Sequence, residues 1–334
     1  MAGRVACFGE LLIRLTAPAG ERLLQTAELE AFVGGAEANV AVALANLGTP
    51  AAVISAVPGN DLGKAALRHL RLHGVETSGV AVRPQGRMGL YFLTPGAGID
   101  PAEVLYDRAG SAFAVEPLSQ TPAAALAQAG WLHLSGITPA VSPAATEAAL
   151  ALVRQARAMK VGVSFDGNYR AGLWAAWGGD GPATLRALMA EVDVAFVNAR
   201  DIALILGLKD GVSEAEALDA AFSAFPALQL MAWTTREPIA QDAHKLGAAV
   251  QVRGGAMETI APLLVTGIVD RIGAGDAFAA GFLHRHLQQA SALESLRFGL
   301  YCGAAKHGQR GDAAWRSEAE IEALMRSSSL DVRR

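Results

Sequence analysis

Cysteine, aromatic residues and charge are all scarce in this chain, and each scarcity closes off a class of function. Only two cysteines occur in 334 residues. Cys7 and Cys302 both lie in apolar segments, which points to buried free thiols in a reducing compartment and away from a disulfide framework. Aromatics make up 6%, and the five tryptophans are scattered, so no stacking array for nucleic-acid bases is present. Charged residues reach 18%, below the roughly 25% of an ordinary soluble domain. The net charge is −4, with no block of Lys and Arg, which leaves neither nucleic acid nor an anionic membrane surface an electrostatic footprint. Long apolar runs are missing too. The stretches Ala220–Thr234 and Thr259–Val269 are cut by Ser223, Pro226, Gln229, Pro262 and Gly267, short of the ~18 residues a membrane span needs. The N-terminus runs directly into a strand-like segment, without the succession of a secretory signal. The histidines form no ligand set: His69 and His73 share a helix face without an acidic third partner, and His284 and His286 lie two apart on a helix. A cytoplasmic α/β enzyme acting on small molecules is the expectation.

What the chain does have is aliphatic residues, alanine and glycine: 52% hydrophobic residues and 36 glycines. Disorder is excluded by that hydrophobicity and the low net charge. The length fits two domains, or one large domain with an appendage. Short β-rich runs alternate with amphipathic helical stretches, the pattern of βαβ units and a mostly parallel sheet. Strands are expected at Val5–Phe8, Ala51–Val57, Trp131–Leu134, Val161–Phe165, Val192–Val197, Leu228–Trp233 and Ala248–Val252. Val40, Ala43, Leu44 and Leu47 mark one helix face, and Ala149, Leu152, Val153 and Ala156 another. Further helices are expected at Leu62–Leu72, Glu214–Phe225, Gly275–Gln289, Leu293–His307 and Glu318–Arg326. Leu11–Phe32 and Val80–Tyr106 break the alternation as extended pieces joined by turns. They predict a small separate sheet, a lid over the carboxyl edge of the main sheet, where open α/β folds bind ligands.

Four segments carry chemistry. In Asp270-Arg271-Ile272-Gly273-Ala274-Gly275-Asp276, a strand-like Gly267–Val269 leads into a Gly-Ala-Gly turn and then a helix. Small residues there expose backbone N–H groups at a helix N-terminus, where the dipole favours an anion. Asp276 stands beside them as a proton acceptor for an attacking hydroxyl; the competing reading is an ordinary N-cap. Gly34-Gly35-Ala36-Glu37-Ala38-Asn39 opens a helix, its glycines admitting a ligand to the backbone while Glu37 or Asn39 bonds hydroxyls. A tight turn is the alternative, weakened by Asn39 inside the helix, where Asn has poor propensity. Asp166-Gly167-Asn168-Tyr169-Arg170 ends a strand with a metal- or nucleotide-facing pair and a guanidinium fork, or else a plain turn. Tyr91 and Tyr106-Asp107-Arg108 lie on the lid, either closing over an anion or blunting an edge strand. No Rossmann fingerprint or P-loop is present: Phe278 takes the third glycine position, and Gly59–Ala65 has the wrong spacing and no Ser or Thr after Lys64.

Together these residues resemble the ribokinase-like (PfkB) carbohydrate kinases over essentially the whole chain, most closely the 2-keto-3-deoxygluconate kinases. Gly34–Asn39, Asp107–Ala112, Leu134–Pro139, Asp166–Arg170 with Leu173-Trp174, and above all Gly273–Asp276 carry the likeness. The resemblance implies one domain over 1–334, a three-layer α/β/α fold with a mostly parallel sheet, and lid strands within about 11–33 and 80–108. It implies transfer of the ATP γ-phosphoryl group to a terminal hydroxyl, with Mg²⁺, Asp276 as base, and the N–H groups of Gly273, Ala274 and Gly275 as anion hole. Gly35, Tyr91, Tyr106, Arg108, Arg170 and Asp312 would contact the sugar, and Asp166, Asn168 and Asn198 the nucleotide. A homodimer or higher homo-oligomer through the lid is implied as well.

A sugar acid presents a carboxylate that Arg108 and Arg170 would clamp, whereas a neutral sugar gives two arginines no partner. Three positions depart from the family pattern. Asn198-Ala199-Arg200-Asp201 replaces Asn-x-x-Glu, leaving Asp201 as the metal-side carboxylate. Trp233–Pro238 replaces a glycine-rich nucleotide segment, with Thr235 and Arg236 as substitutes. Asp107 stands on the lid where a second aromatic is expected. A neutral-sugar kinase of fructokinase or ribokinase type, and a non-catalytic sugar-acid or nucleotide binder, remain as alternatives.

Overall fold

The computed structural model describes residues 3–96, 99–209 and 211–326. Its strands are β1 (Arg4–Phe8), β2 (Leu12–Thr16), β3 (Glu30–Gly34), β4 (Ala51–Pro58), β5 (Val80–Arg83), β6 (Gly89–Thr94) and β7 (Glu103–Asp107). After them come β8 (Ala129–Ser135), β9 (Gly162–Asp166), β10 (Val194–Phe196), β11 (Leu230–Ala240), β12 (Ala243–Val252) and β13 (Met257–Thr266). Nine of them form one sheet in the order β13-β12-β11-β10-β9-β8-β1-β4-β5, parallel from β5 to β11 and antiparallel at the β11–β12–β13 edge.

The chain leaves β1 toward β4 and β5 on one side, then returns to β8 and runs through β9 to β11 on the other. That reversal opens a crevice at the carboxyl ends of β1 and β8, where open parallel sheets take ligands. The period-two alternation of β1 explains the layers. Ala6 and Phe8 enter one core with Leu132, Leu134, Phe165 and the helix Pro143–Ala158. Val5 and Cys7 enter the other, with the helices Ala36–Leu47 and Ala274–Leu287. Burial on both faces accounts for the uninterrupted apolar strands. Both cysteines are buried and free.

The lid is a four-stranded sheet in the order β3-β2-β6-β7. The expected boundary needs one correction: Val80–Arg83 pairs with β4 at the edge of the large sheet, so the second lid piece begins at β6. Gly267–Val269 is not a strand either; the strand ahead of the turn is β13, which ends at Thr266. β13 is mostly exposed, so its apolar content is an edge strand's alternation. The helices Gly181–Met189 and Ala199–Leu206 were not expected from periodicity. Among the described residues no helix is long and apolar enough to cross a membrane.

Candidate active site

The turn before the helix Ala274–Leu287 is held by Asp270, whose carboxylate accepts from Ile272 N at 3.0 Å and Gly311 N at 3.1 Å. Gly273 makes the last bend at φ 81°, a left-handed conformation, and a Cβ there would fall 2.0 Å from the carbonyl oxygen of Asp312. Only glycine fits. The N–H groups of Gly273, Gly275 and Asp276 have no acceptor among the described residues and crown the helix dipole. Ala274 does not join them, because its N–H donates to Arg271 O at 3.2 Å; Asp276 supplies the third donor instead. At Gly275 a Cβ would meet nothing within 4 Å, so packing leaves that face open to a ligand.

Asp276 lies half-buried at the start of this helix, and Asn39 Nδ2 donates to its Oδ2 at 2.7 Å. This bond explains an asparagine inside the helix Ala36–Leu47. Burial pushes the Asp276 carboxyl up to about 8, the Asn39 amide pulls it back, and Asp166, Glu37 and Asp312 raise it further. Glu37, by contrast, is withdrawn from any ligand. Its Oε1 accepts from Ser135 N at 2.8 Å, Ser135 Oγ at 2.7 Å and Thr138 Oγ1 at 2.6 Å, and it is 1% exposed. It brackets the ends of β8 and the Gly34–Asn39 turn. Gly35, at φ 135°, lies so close to Glu10 that a Cβ would reach 2.3 Å from that carbonyl oxygen.

The lid residues divide. Tyr106 Oη accepts from Arg170 Nε at 3.3 Å, joining lid to sheet edge, and Arg170 is exposed. Tyr91 and Asp312 are buried and bond each other, Oη donating to Oδ2 at 2.6 Å. Arg14, a residue not singled out from sequence, is fully buried between Asp270 and Asp312, with Nε 3.0 Å from Asp312 Oδ1. Arg108 is buried and held through Nε by Glu10, which also accepts from Ser111 Oγ. Of the two arginines expected to meet the sugar, Arg108 is paired with Glu10 and Arg170 is the exposed cation. Asp107, at the position expected for a second aromatic, pairs with Arg87.

Across the Gly273–Asp276 turn lies a cavity of about 340 Å³ lined by Thr234, Arg236, Arg271, Gly275 and His307, among others. Arg236 and Arg271 form no salt bridge among the described residues; burial and then Arg271 depress the Arg236 pKa. Two unpaired guanidiniums beside open N–H groups suit a polyphosphate. Strand alternation turns Thr234 and Arg236 to the cavity and Thr235 toward Gly247, so of the two expected substitutes only Arg236 lines it.

At the ends of β9 and β10, burial and then the neighbouring Asp201 raise Asp166 to about 7, opposed by Arg170. Asp201 is raised by burial as well, opposed by the Asn198 N–H and Arg170. Asn198 and Asp201 form a capping box on the helix Ala199–Leu206, with Asn198 N donating to Asp201 Oδ2 at 3.0 Å. Asn198 is thus a cap first, its side-chain oxygen used by Arg200 N and Asp201 N. Asn168 takes the left-handed turn position at φ 32° and donates its N–H to Asp166 Oδ1 at 3.1 Å. No cluster of three or more metal-ligating side chains exists among the described residues. Two mutually repelling carboxylates fit a hard divalent ion that keeps water and phosphate oxygens as its other ligands.

The comparisons with known proteins bear on the family and the fold. The family model described as pfkB family carbohydrate kinase matches residues 2–319. The 2-dehydro-3-deoxygalactonokinase of Haloferax volcanii is 33% identical over the whole of both chains. The 2-dehydro-3-deoxygluconokinase of Thermoproteus tenax is 28% identical over 97% of this chain and 94% of its own. Among solved structures, a PfkB family carbohydrate kinase from Listeria grayi superposes with a TM-score of 0.90 at 31% identity, covering 97% of this chain and all of the other. The 2-dehydro-3-deoxygluconokinase of Thermotoga maritima gives 0.87 at 32% over the same shares. A whole-length match, a shared fold with its lid, and a glycine turn that aims open N–H groups past a buried carboxylate lead to one assignment: this chain belongs to the PfkB family of carbohydrate kinases.

Proposed function

We propose that the protein transfers the γ-phosphoryl group of ATP to the terminal hydroxyl of a 2-keto-3-deoxy sugar acid of the gluconate or galactonate series. The observation that carries the phosphoryl-transfer reading is the pairing of Asp276, oriented by Asn39 at 2.7 Å, with the open N–H groups of Gly273, Gly275 and Asp276. Asp276 takes the proton of the attacking hydroxyl as its oxygen bonds to the γ-phosphorus, and the bond from that phosphorus to the bridging oxygen of ADP breaks. Negative charge on the transferring oxygens is met by the three N–H groups and the helix dipole. Arg236 and Arg271 hold the polyphosphate from the cavity side. Asp166 and Asp201 would hold Mg²⁺, which when bound neutralises charge on the phosphate oxygens.

The acid half of the reading is supported by Arg170, the exposed guanidinium under Tyr106, and by the names of the relatives in Haloferax volcanii and Thermoproteus tenax. The test is ADP release with Mg-ATP and 2-keto-3-deoxygluconate, its galactonate epimer, fructose, ribose or no sugar. Turnover is expected with a keto acid alone, and Asp276→Asn should lower kcat by about 10²–10⁴-fold while leaving substrate-induced thermal stabilisation intact. Turnover of fructose or ribose would keep the kinase and discard the acid. An active Asp276→Asn enzyme would discard the base, and ATP binding without turnover of any sugar would favour a binding protein.

A further inference from the structure

Lys306 ends the helix Ala292–Lys306, yet it is 0% exposed, and nothing in the proposed mechanism uses it. Its Nζ donates to the carbonyl oxygens of Gln309, at 3.0 Å, and Asp270, at 3.4 Å. Asp270 opens the anion-hole turn, and Gln309 belongs to the loop that runs on to Asp312. The two segments are stitched elsewhere as well: Val269 N and Asp270 N donate to His307 O at 2.8 and 3.1 Å, and Gly311 N to the Asp270 carboxylate at 3.1 Å. The turn also rests directly on the second segment, since Gly273 has no room for a Cβ beneath the Asp312 carbonyl.

Burial and the surrounding carboxylates act on the amine in opposite directions. Arg14 lies between Asp312, which is buried, and Asp270, which is nearly so, and both carboxylates face the Lys306 side of the turn. Burial lowers the Lys306 pKa, and Asp270, Asp312 and Asp276 oppose that fall, with Arg14 on the side of burial. A buried ammonium held by backbone carbonyls has the charge and donor geometry of a bound ammonium ion, tied here to the chain.

We propose that Lys306 is a positioning residue: its ammonium is a built-in monovalent cation that locks the Asp270–Gly273 turn to the Gln309–Asp312 loop, so that the anion hole is formed without a cation from solution. Removing the side chain to Ala leaves the carbonyl oxygens facing a space that a small free cation fills. The proposal rests on the reading of Gly273–Asp276 as the phosphoryl site.

The test compares wild type and Lys306→Ala in choline chloride, KCl and NH₄Cl at equal ionic strength, following both ADP release and the melting midpoint. Wild type should show the same kcat and midpoint in all three salts. Lys306→Ala in choline chloride should lose about tenfold or more in kcat, since misplacing catalytic groups by ~1 Å costs on the order of 10²-fold, with a smaller change in the sugar KM. K⁺ or NH₄⁺ should restore both kcat and the midpoint of the variant. A wild type that needs K⁺, a fully active folded variant in choline chloride, or a folded, impaired variant that neither cation restores would each overturn the proposal. Should the variant fold in no salt, the wild-type comparison decides. Failure of the phosphoryl-site reading would appear separately, as an active Asp276→Asn enzyme, and the melting comparison for Lys306 would still stand.

Discussion

The two halves of the cleft treat their charged side chains in opposite ways. Under the lid the buried arginines of the described residues are partnered, Arg14 with Asp270 and Asp312 and Arg108 with Glu10, and the Tyr91 hydroxyl donates to Asp312. Along the sheet edge the charges are crowded with their own sign. Asp276 and Asp166 are raised by burial and by neighbouring carboxylates, and Arg236 is depressed by burial and Arg271. Paired buried charge is architecture, because separating it leaves an uncompensated ion. Like charge gathered at one edge is unfavourable in the empty protein and becomes favourable when a proton, a metal ion or a polyphosphate arrives.

Breaking the paired half should have the largest effect. Arg14→Met leaves Asp270 and Asp312 buried together, and should cost about 3–5 kcal/mol of unfolding free energy, read from urea denaturation. A loss below about 1 kcal/mol, the scale of an exposed pair, would show that Arg14 is not an architectural partner. Next comes the exposed cation that joins the halves. Arg170→Leu should weaken sugar-acid binding by about 10- to 100-fold, the range of one hydrogen bond to a charged group, with ATP binding unchanged in calorimetry. Equal losses for both ligands would move Arg170 to the nucleotide side, where Asp166 and Asp201 already feel its charge.

The smallest and sharpest effect is on pH. Asp276 has a carboxyl raised to about 8, so below that pH it holds the proton it must accept, and kcat/KM should fall about tenfold per unit below it. The same shift acts on stability. Between the unfolded carboxyl pKa of about 3.9 and 8, the folded state keeps a proton that the unfolded chain releases, so stability falls as pH rises through that window. Asp276→Asn removes this penalty, and its melting midpoint without ligand should exceed the wild type's at pH 8 and match it near pH 4. A variant melting lower at pH 8 would contradict the raised pKa.

Much of the fold is legible because strands buried on both faces and helices with one apolar face write their periods into the sequence. The lid boundary was not legible. Val80–Arg83 has the composition of any short extended piece, and only its hydrogen bonds to β4 put it in the large sheet. The helices Gly181–Met189 and Ala199–Leu206 are short and start at polar caps, Asp180 and Asn198, that looked like turn or site residues. The turn-to-helix geometry of Gly273–Asp276 was readable because glycine, helix and carboxylate are local to one turn. The partners of Glu37 and Arg108 were not legible, because a charged residue near a ligand cleft looks the same in sequence whether or not Ser135 or Glu10 lies beside it in the fold. Two residues left faint traces: Arg14 interrupts the apolar run Leu11–Leu15, and Lys306 follows Cys302 and Gly303 on the helix's buried face.

The sequence alone determined the layered α/β architecture, the glycine turn with its carboxylate at a helix start, and the two free cysteines, because each depends on residues near one another in the chain. Tertiary structure decided which charges are partnered. Asn39 reaches Asp276 across 237 positions and Arg14 reaches Asp270 across 256, and only folding brings such groups within hydrogen-bond range. Electrostatic energy depends on distance in space and on burial, and the order of residues fixes neither until the sheet and its lid have closed.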